Sequence, residues 1–266
     1  MLITVVLYLL SGAVTGIIAG LLGVGGGIVI VPMLCTLFAW QNFSPELTQH
    51  MALGTSFATI IFTSFSSFMA HHKRGAVRWD IWKNVAPGIL VGTFGGSWIA
   101  AGLSTTALRI FFACFLAVVG VRMLLMSKTR AGRELPGRLG LAIVGFVIGL
   151  ISSFAGIGGG TMSVPFMSWC NVPMQAAVGT SAAIGLPIAI AGALGYVVNG
   201  WGAPDLPDWT LGFVYLPGLL GLVAASMLTA PIGVRISHSL PVGRLKQCFG
   251  IFVCLMAIRM FWSIFG

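Results

Sequence analysis

The chain has 266 residues, of which 14 are Lys or Arg and 5 are Asp or Glu, while 58% are hydrophobic. Soluble domains carry about 25% charged residues, and the 7% here is too little to cover a water-facing surface. That excludes a cytosolic enzyme, a secreted domain and a disordered chain, and it makes lipid the solvent for most of the surface.

A helical span needs about 20 apolar residues. The first stretch, 2–22, lacks a basic n-region and a small-residue cleavage pattern, so it reads as a retained helix rather than a signal peptide. Apolar segments follow at 28–40, 47–70, 84–102 and 107–126. The most polar stretch, SKTRAGRELPGR at 127–138, is the natural linker. After it come 138–155, 161–171, 176–198, 211–230 and 244–265. Segments 28–40 and 161–171 are short for a crossing, at 13 and 11 residues, and each follows a glycine cluster. The expected fold is an all-α polytopic membrane protein: a first transmembrane repeat (1–126), a basic cytoplasmic linker (127–138) and a second repeat (139–266).

The repeat is visible in the residues. Segments 12–34 and 145–167 align without a gap and are identical at 10 of 23 positions, including Gly12/Gly145, Gly16/Gly149, Gly23/Gly156, Gly25/Gly158, Gly26/Gly159, Gly27/Gly160 and Pro32/Pro165. Gly54-Thr55-Ser56 corresponds to Gly179-Thr180-Ser181, Pro87-Gly88 to Pro217-Gly218, and Val121-Arg122-Met123 to Ile258-Arg259-Met260. Shared apolarity alone does not produce such matches; a duplication does.

Charge placement orients the halves. Loop 71–83 holds Lys73, Arg74, Arg78 and Lys83; the linker holds Lys128, Arg130, Arg133 and Arg138; loop 231–246 holds Arg235, Arg244 and Lys246. Loop 199–210 holds Asp205 and Asp208 and no base. With the basic loops in the cytoplasm, segment 161–171 must return the chain across the bilayer. The pattern therefore favours five crossings per half, inverted repeats and both termini outside. Trp40, Trp79, Trp82, Trp169, Trp201, Trp209 and Trp262 fall near span ends, as interfacial indoles do. The net charge of +9 is thus a topology signal, and no nucleic-acid partner is expected.

The clusters Gly23–Gly27 and Gly156–Gly160 break the helix. Broken backbone is tolerated at membrane depth only inside protein or along a polar cavity. The short helices that follow begin with free N–H donors and the positive end of the helix dipole, and Gly25, Gly26, Gly27, Gly158, Gly159 and Gly160 would let an anion reach that backbone. Gly23, Pro32, Gly156 and Pro165 serve as the structural breaks. Spaced pairs such as Gly12/Gly16 read instead as helix packing, and packing is the competing reading of the clusters too. Thr55, Ser56, Thr180 and Ser181 offer hydroxyls to a substrate oxygen, or bond back to a carbonyl one turn earlier. Arg122 and Arg259 are either binding residues or snorkelling side chains near helix ends. His50 is a polar cavity residue or an interfacial one.

The five acids, Glu46, Asp80, Glu134, Asp205 and Asp208, fall in expected loops, so carboxylate proton relays and sodium sites within the bilayer are not supported. Cys35, Cys114, Cys170, Cys248 and Cys254 form no C-x-x-C pair and no zinc signature. No nucleophile–base pair, metal site or cofactor motif is visible, so the chain reads as a non-enzyme without a cofactor.

The duplicated G-x-x-x-G-x(6)-G-[VI]-G-G-G-x(3)-V-P pattern, with Gly-Thr-Ser after it and an Arg near the end of each half, resembles the sulfite exporter TauE/SafE family, also called the toluene-sulfonate uptake permease family. The resemblance spans nearly the whole chain. It implies a multi-pass transporter of sulfur-containing anions in a bacterial-type inner membrane, with Gly25–Gly27, Gly158–Gly160, Pro32 and Pro165 on the family's signature. The expected function is export of sulfite, sulfoacetate or another organosulfonate by alternating access. A passive anion channel, or an importer of a sulfonate or small carboxylate, is the alternative. The substrate is a small anion and the other partner is the bilayer; oligomeric state stays open, a homodimer included.

Overall fold

A computed structural model describes residues 2–22, 26–125, 132, 134–239 and 242–265. Ten helices occupy them: α1 (Leu2–Leu22), α2 (Gly27–Trp40), α3 (Thr48–Lys73), α4 (Trp79–Ala101), α5 (Thr105–Leu124), α6 (Arg138–Ala155), α7 (Gly160–Trp169), α8 (Met174–Asn199), α9 (Leu216–Ser239) and α10 (Val242–Phe265). A two-stranded hairpin, β1 (Thr210–Leu211) with β2 (Val214–Tyr215), precedes α9. Among the described residues, α3, α5, α6 and α8 are each long and apolar enough to cross a membrane.

Three expectations change. Segment 211–230 does not start as a helix: Gly212 sits at φ 57° and turns Thr210–Tyr215 into the hairpin. The basic loop 231–246 is mostly helical, because α9 continues to Ser239 and α10 starts at Val242. Asp80 lies in the first turn of α4, where it is exposed and paired with Arg78 at 2.6 Å. Half of the linker, including Lys128, Arg130 and Arg133, lies outside the described residues.

Small residues decide which helices meet. A Cβ on Gly88 or Gly92 would collide with the backbone of Ala142 or Phe146, and one on Gly145 or Gly149 with Val85 O or Ile89 O. These contacts join α4 to α6 side by side, both running the same way. Gly12 meets Leu222 and Ala225, and Gly16 meets Ser226 and Thr229, which joins α1 to α9 in the same parallel sense. The two pairs correspond when the halves are exchanged.

The corresponding helices α3 and α8 pack on each other antiparallel: Gly54 lies on Tyr196, Phe57 on Gly192 and Ser64 on Gly185. So do α5 and α10, with Gly120 on Cys254 and Leu124 on Gly250. Helix α8 also runs parallel to α4, through the Trp82 indole, which donates to Ala183 O at 3.0 Å, and through Ser97 on Gly195. With α6 and α8 both parallel to α4, the short helix α7 must carry the chain from one end of the bundle back to the other.

Both short helices end on an asparagine in the left-handed region, Asn42 at φ 58° and Asn171 at φ 60°. The next residue closes the cap: Phe43 N donates to Phe38 O and Val172 N to Met167 O. The motif is Trp-x-Asn in both halves.

The sides of the bundle are apolar. Ile3, Val91, Val118, Leu139, Leu228 and Ile258 are exposed, as lipid-facing residues should be. The centre is α3 and α8. Buried on α3 are Gln49, His50, Thr55, Ser56, Thr59, Thr63 and Ser64, whereas α8 buries Thr180 and Ser181 among alanines, glycines and isoleucines.

Candidate functional site

The two glycine breaks meet. Gly26 adopts φ 79° and Gly156 φ 62°, conformations that favour glycine. A Cβ on Gly27 would strike Gly156 O, lie 2.8 Å from Ile157 Cα and lie 2.9 Å from Ile60 Cδ1. Only glycine allows this approach. Gly23 and Gly25 lie outside the described residues; Gly26, Gly27, Gly158, Gly159 and Gly160 are all buried.

Helix α2 starts at this contact, and α7 starts three residues beyond Ile157. Val29 N and Ile30 N donate to Gly26 O, and Met162 N and Ser163 N to Gly159 O. The N–H groups of Gly27, Ile28, Gly160 and Thr161 precede those ladders and have no partner within their helices. Thr161 Oγ1 is buried without a hydrogen-bond partner in the same first turn. Pro32 and Pro165 sit one turn further on and remove the donors for Ile28 O and Thr161 O, which weakens each helix there.

Central side chains enclose the breaks. Leu53 and Val31 pack on Gly156, and Ile184 and Ile188 pack on Gly159. Ser56 Oγ donates to Gly156 O at 2.7 Å. Ser163 Oγ donates to Gly159 O at 2.6 Å and lies 2.9 Å from Ser181 Oγ. Both serines of the Gly-Thr-Ser motifs are therefore at the breaks.

The threonines do something the sequence did not reveal. Thr55 Oγ1 accepts from Tyr215 N at 3.0 Å, and Thr180 Oγ1 accepts from Arg78 N at 2.9 Å. Tyr215 precedes α9 and Arg78 precedes α4, so each threonine holds the start of a helix in the opposite half. The preceding glycines make room: a Cβ on Gly54 would lie 2.6 Å from Phe213 O, and one on Gly179 2.5 Å from Ala76 O. The identical pairing of these motifs hinted at a symmetric role, but the partners are backbone groups distant in sequence. His50 is buried, with Nε2 3.2 Å from Ala100 O.

Arg122 and Arg259 are not gathered at the breaks. Both are exposed on α5 and α10, which fits charged ends on apolar stems. All five acids are exposed. Among the described residues, no three His, Cys, Asp or Glu side chains are grouped to hold a metal.

The arrangement is a buried contact between the start of α2 and the end of α6, with α7 starting three residues beyond Ile157. Ser56 and Ser163 spend their hydroxyl protons on the carbonyls of the break, and Thr161 Oγ1 is left without a partner. Comparison with known proteins agrees with a transport role. The family model described as sulfite exporter TauE/SafE matches residues 8–260. A Haemophilus influenzae protein named "probable membrane transporter protein" is 38% identical over 258 residues, covering 97% of this chain and 98% of that relative. A Xylella fastidiosa protein of the same name is 29% identical, covering 95% and 93%. The Bacillus subtilis "probable membrane transporter protein YunE" is 27% identical, covering 80% and 84%. No solved structure matches significantly. The chain is an integral membrane protein, and it belongs to the sulfite exporter TauE/SafE family of membrane transporters.

Proposed function

We propose that the protein exports small sulfur-containing anions, namely sulfite, sulfoacetate or a related organosulfonate, across a bacterial-type inner membrane. The observation that carries this reading is the contact between Gly27, the first residue of α2, and Gly156–Ile157 in the break that leads to α7, together with the buried, unpartnered Thr161 hydroxyl in the first turn of α7. Helix N-termini and free donors stabilise an oxyanion. The exposed acids leave no carboxylate at the centre to attract a cation or relay a proton. The inside-negative potential favours outward anion movement by about 2.3 kcal/mol per charge per 100 mV, so export requires no coupling ion. The chemistry is binding and release, with no bond made or broken.

Antiparallel α3/α8 and α5/α10 support an inverted relation between repeats 1–126 and 139–266, with 127–138 as linker. In such repeats the site lies between the halves, and rocking one against the other alternates its access.

The test is flux of labelled sulfite and sulfoacetate in proteoliposomes under an imposed potential. Saturable flux that follows the potential is expected. Failure of every such anion to move, with folded protein, overturns the reading; single-channel currents would make the protein a channel. Gly26→Leu and Gly159→Leu should abolish flux: Gly26 has no room in its φ for a side chain, and a Cβ on Gly159 would lie 2.8 Å from Ile184 Cγ2 and from Ile188 Cδ1. Near-normal flux in well-inserted variants would reduce these glycines to packing residues.

A further inference from the structure

The end of the bundle opposite the 71–83 turn holds a polar cluster that the glycine site does not use. Cys35 comes from α2, Gln49 and His50 from the first turn of α3, and Thr105 and Arg109 from the first two turns of α5. Thr105 ties α5 to α3: its hydroxyl donates to Glu46 O and lies 3.3 Å from His50 Nδ1. Arg109 is four residues on and therefore lies on the same face of α5, one turn deeper. Cys35 Sγ donates to Gln49 Oε1 at 3.1 Å. These bonds gather Cys35 of α2, Gln49 and His50 of α3 and Thr105 of α5 at one end of the bundle, and Arg109 follows one turn along α5.

Gln49 and Arg109 both lack what they need. The Gln49 side chain is fully buried, and its Nε2 has no hydrogen-bond partner, which is costly for an amide donor. Arg109 is half-buried and forms no ion pair among the described residues. A guanidinium and an amide N–H₂ are donors only, and an anion with several oxygens answers both.

We propose that Arg109 and Gln49 form an oxyanion-binding station at the mouth of the transport path. The guanidinium takes two oxygens of a sulfite or sulfonate group, as its planar fork does with carboxylate and phosphate, and the Gln49 amide takes another. The proposal rests on the transport reading above. The repeat places a second cation at the opposite end: the Val121-Arg122-Met123 and Ile258-Arg259-Met260 register sets Lys246, in α10, at the position of Arg109. The Gly-Thr-Ser register sets Met174 at the position of Gln49, so the amide belongs to one mouth alone.

Binding and sided transport together test this. Thermal stabilisation by sulfite and by sulfoacetate is titrated on lipid-free protein in detergent. Arg109→Gln should raise the half-saturating concentration about tenfold. Arg109→Lys keeps the charge without the fork and should fall between. Gln49→Met, which borrows the residue of the other repeat, should raise it less and covers the case where Arg109→Gln does not fold. In sided proteoliposomes, Arg109→Gln should raise the half-saturation only for anion presented at the 199–210 face, and Lys246→Gln only for the other face. Unchanged titrations in Arg109→Gln and Gln49→Met overturn the station, as does an equal rise at both faces. Stabilisation by phosphatidylglycerol alone, lost with Arg109, overturns it in favour of a lipid-headgroup site. Arg109-dependent stabilisation by sulfite in protein that moves no anion upholds the station and rejects the transport reading.

Discussion

Thr55 and Thr180 show how much a single hydroxyl does in a bilayer. The N–H groups of Tyr215 and Arg78 open α9 and α4, where the helix supplies no acceptor. Each is met by a threonine of the other half, at 3.0 and 2.9 Å. A hydroxyl placed for a backbone N–H is a clamp between halves before it is a substrate ligand. Thr55→Val and Thr180→Val keep the shape and remove the acceptor, so each should cost about 1–3 kcal/mol, read as a lower unfolding temperature. Thr→Ser should restore most of it. Under the clamp reading the folded fraction of either variant binds sulfite with unchanged half-saturation; a weakened titration would return these hydroxyls to the substrate. Ser56 and Ser181 differ, because they are the motif hydroxyls that lie at the breaks.

At the scale of elements, the same small residues do two separate jobs. Spaced glycines bring whole helices together, and the clusters stop helices. Gly92 and Gly95 offer a clean contrast on α4. A Cβ on Gly92 would lie 2.9 Å from Phe146 Cα, while one on Gly95 meets nothing within 4 Å. Gly92→Leu should therefore abolish folded yield in size-exclusion profiles, and Gly95→Leu, pointing away from the interface, should leave it close to wild type. Equal loss in both would mean that helix propensity, not α4–α6 contact, sets the effect. The packing role of Gly12/Gly16 and Gly145/Gly149 was legible as spacing. Their partners were not, because α9 and α4 each lie in the other half and a periodicity carries no address. Helix ends were harder still. Residues 211–215 are apolar enough to read as the start of a span, and only the conformation of Gly212 turns them into a hairpin. The Trp-x-Asn caps escaped a gapless comparison because α7 has 10 residues and α2 has 14, a difference of about one helical turn.

At the scale of the molecule, direction is the quantity that matters. A repeat in the sequence does not say whether its copies point alike. The basic and acidic loops favoured opposite directions, and the packing supplies an independent reason: α3 runs against α8 and α5 against α10, while α6 and α8 both run with α4. A chain that enters and leaves α7 this way must pass from one end of the bundle to the other, even though ten residues span only about 15 Å; the glycine break covers the remainder inside protein. That places loops 71–83 and 199–210 at opposite ends of the bundle, and the proposed topology puts those ends on opposite sides of the membrane. Single cysteines at His72 and Asp208, both exposed, test it in a background with the five native cysteines replaced. An impermeant maleimide added to intact cells should label Asp208→Cys and spare His72→Cys until the membrane is opened. Labelling of both from one side would mean that α7 dips and returns. The two glycine breaks would then enter from the same side, and the site between them could not alternate its access by rocking one half against the other.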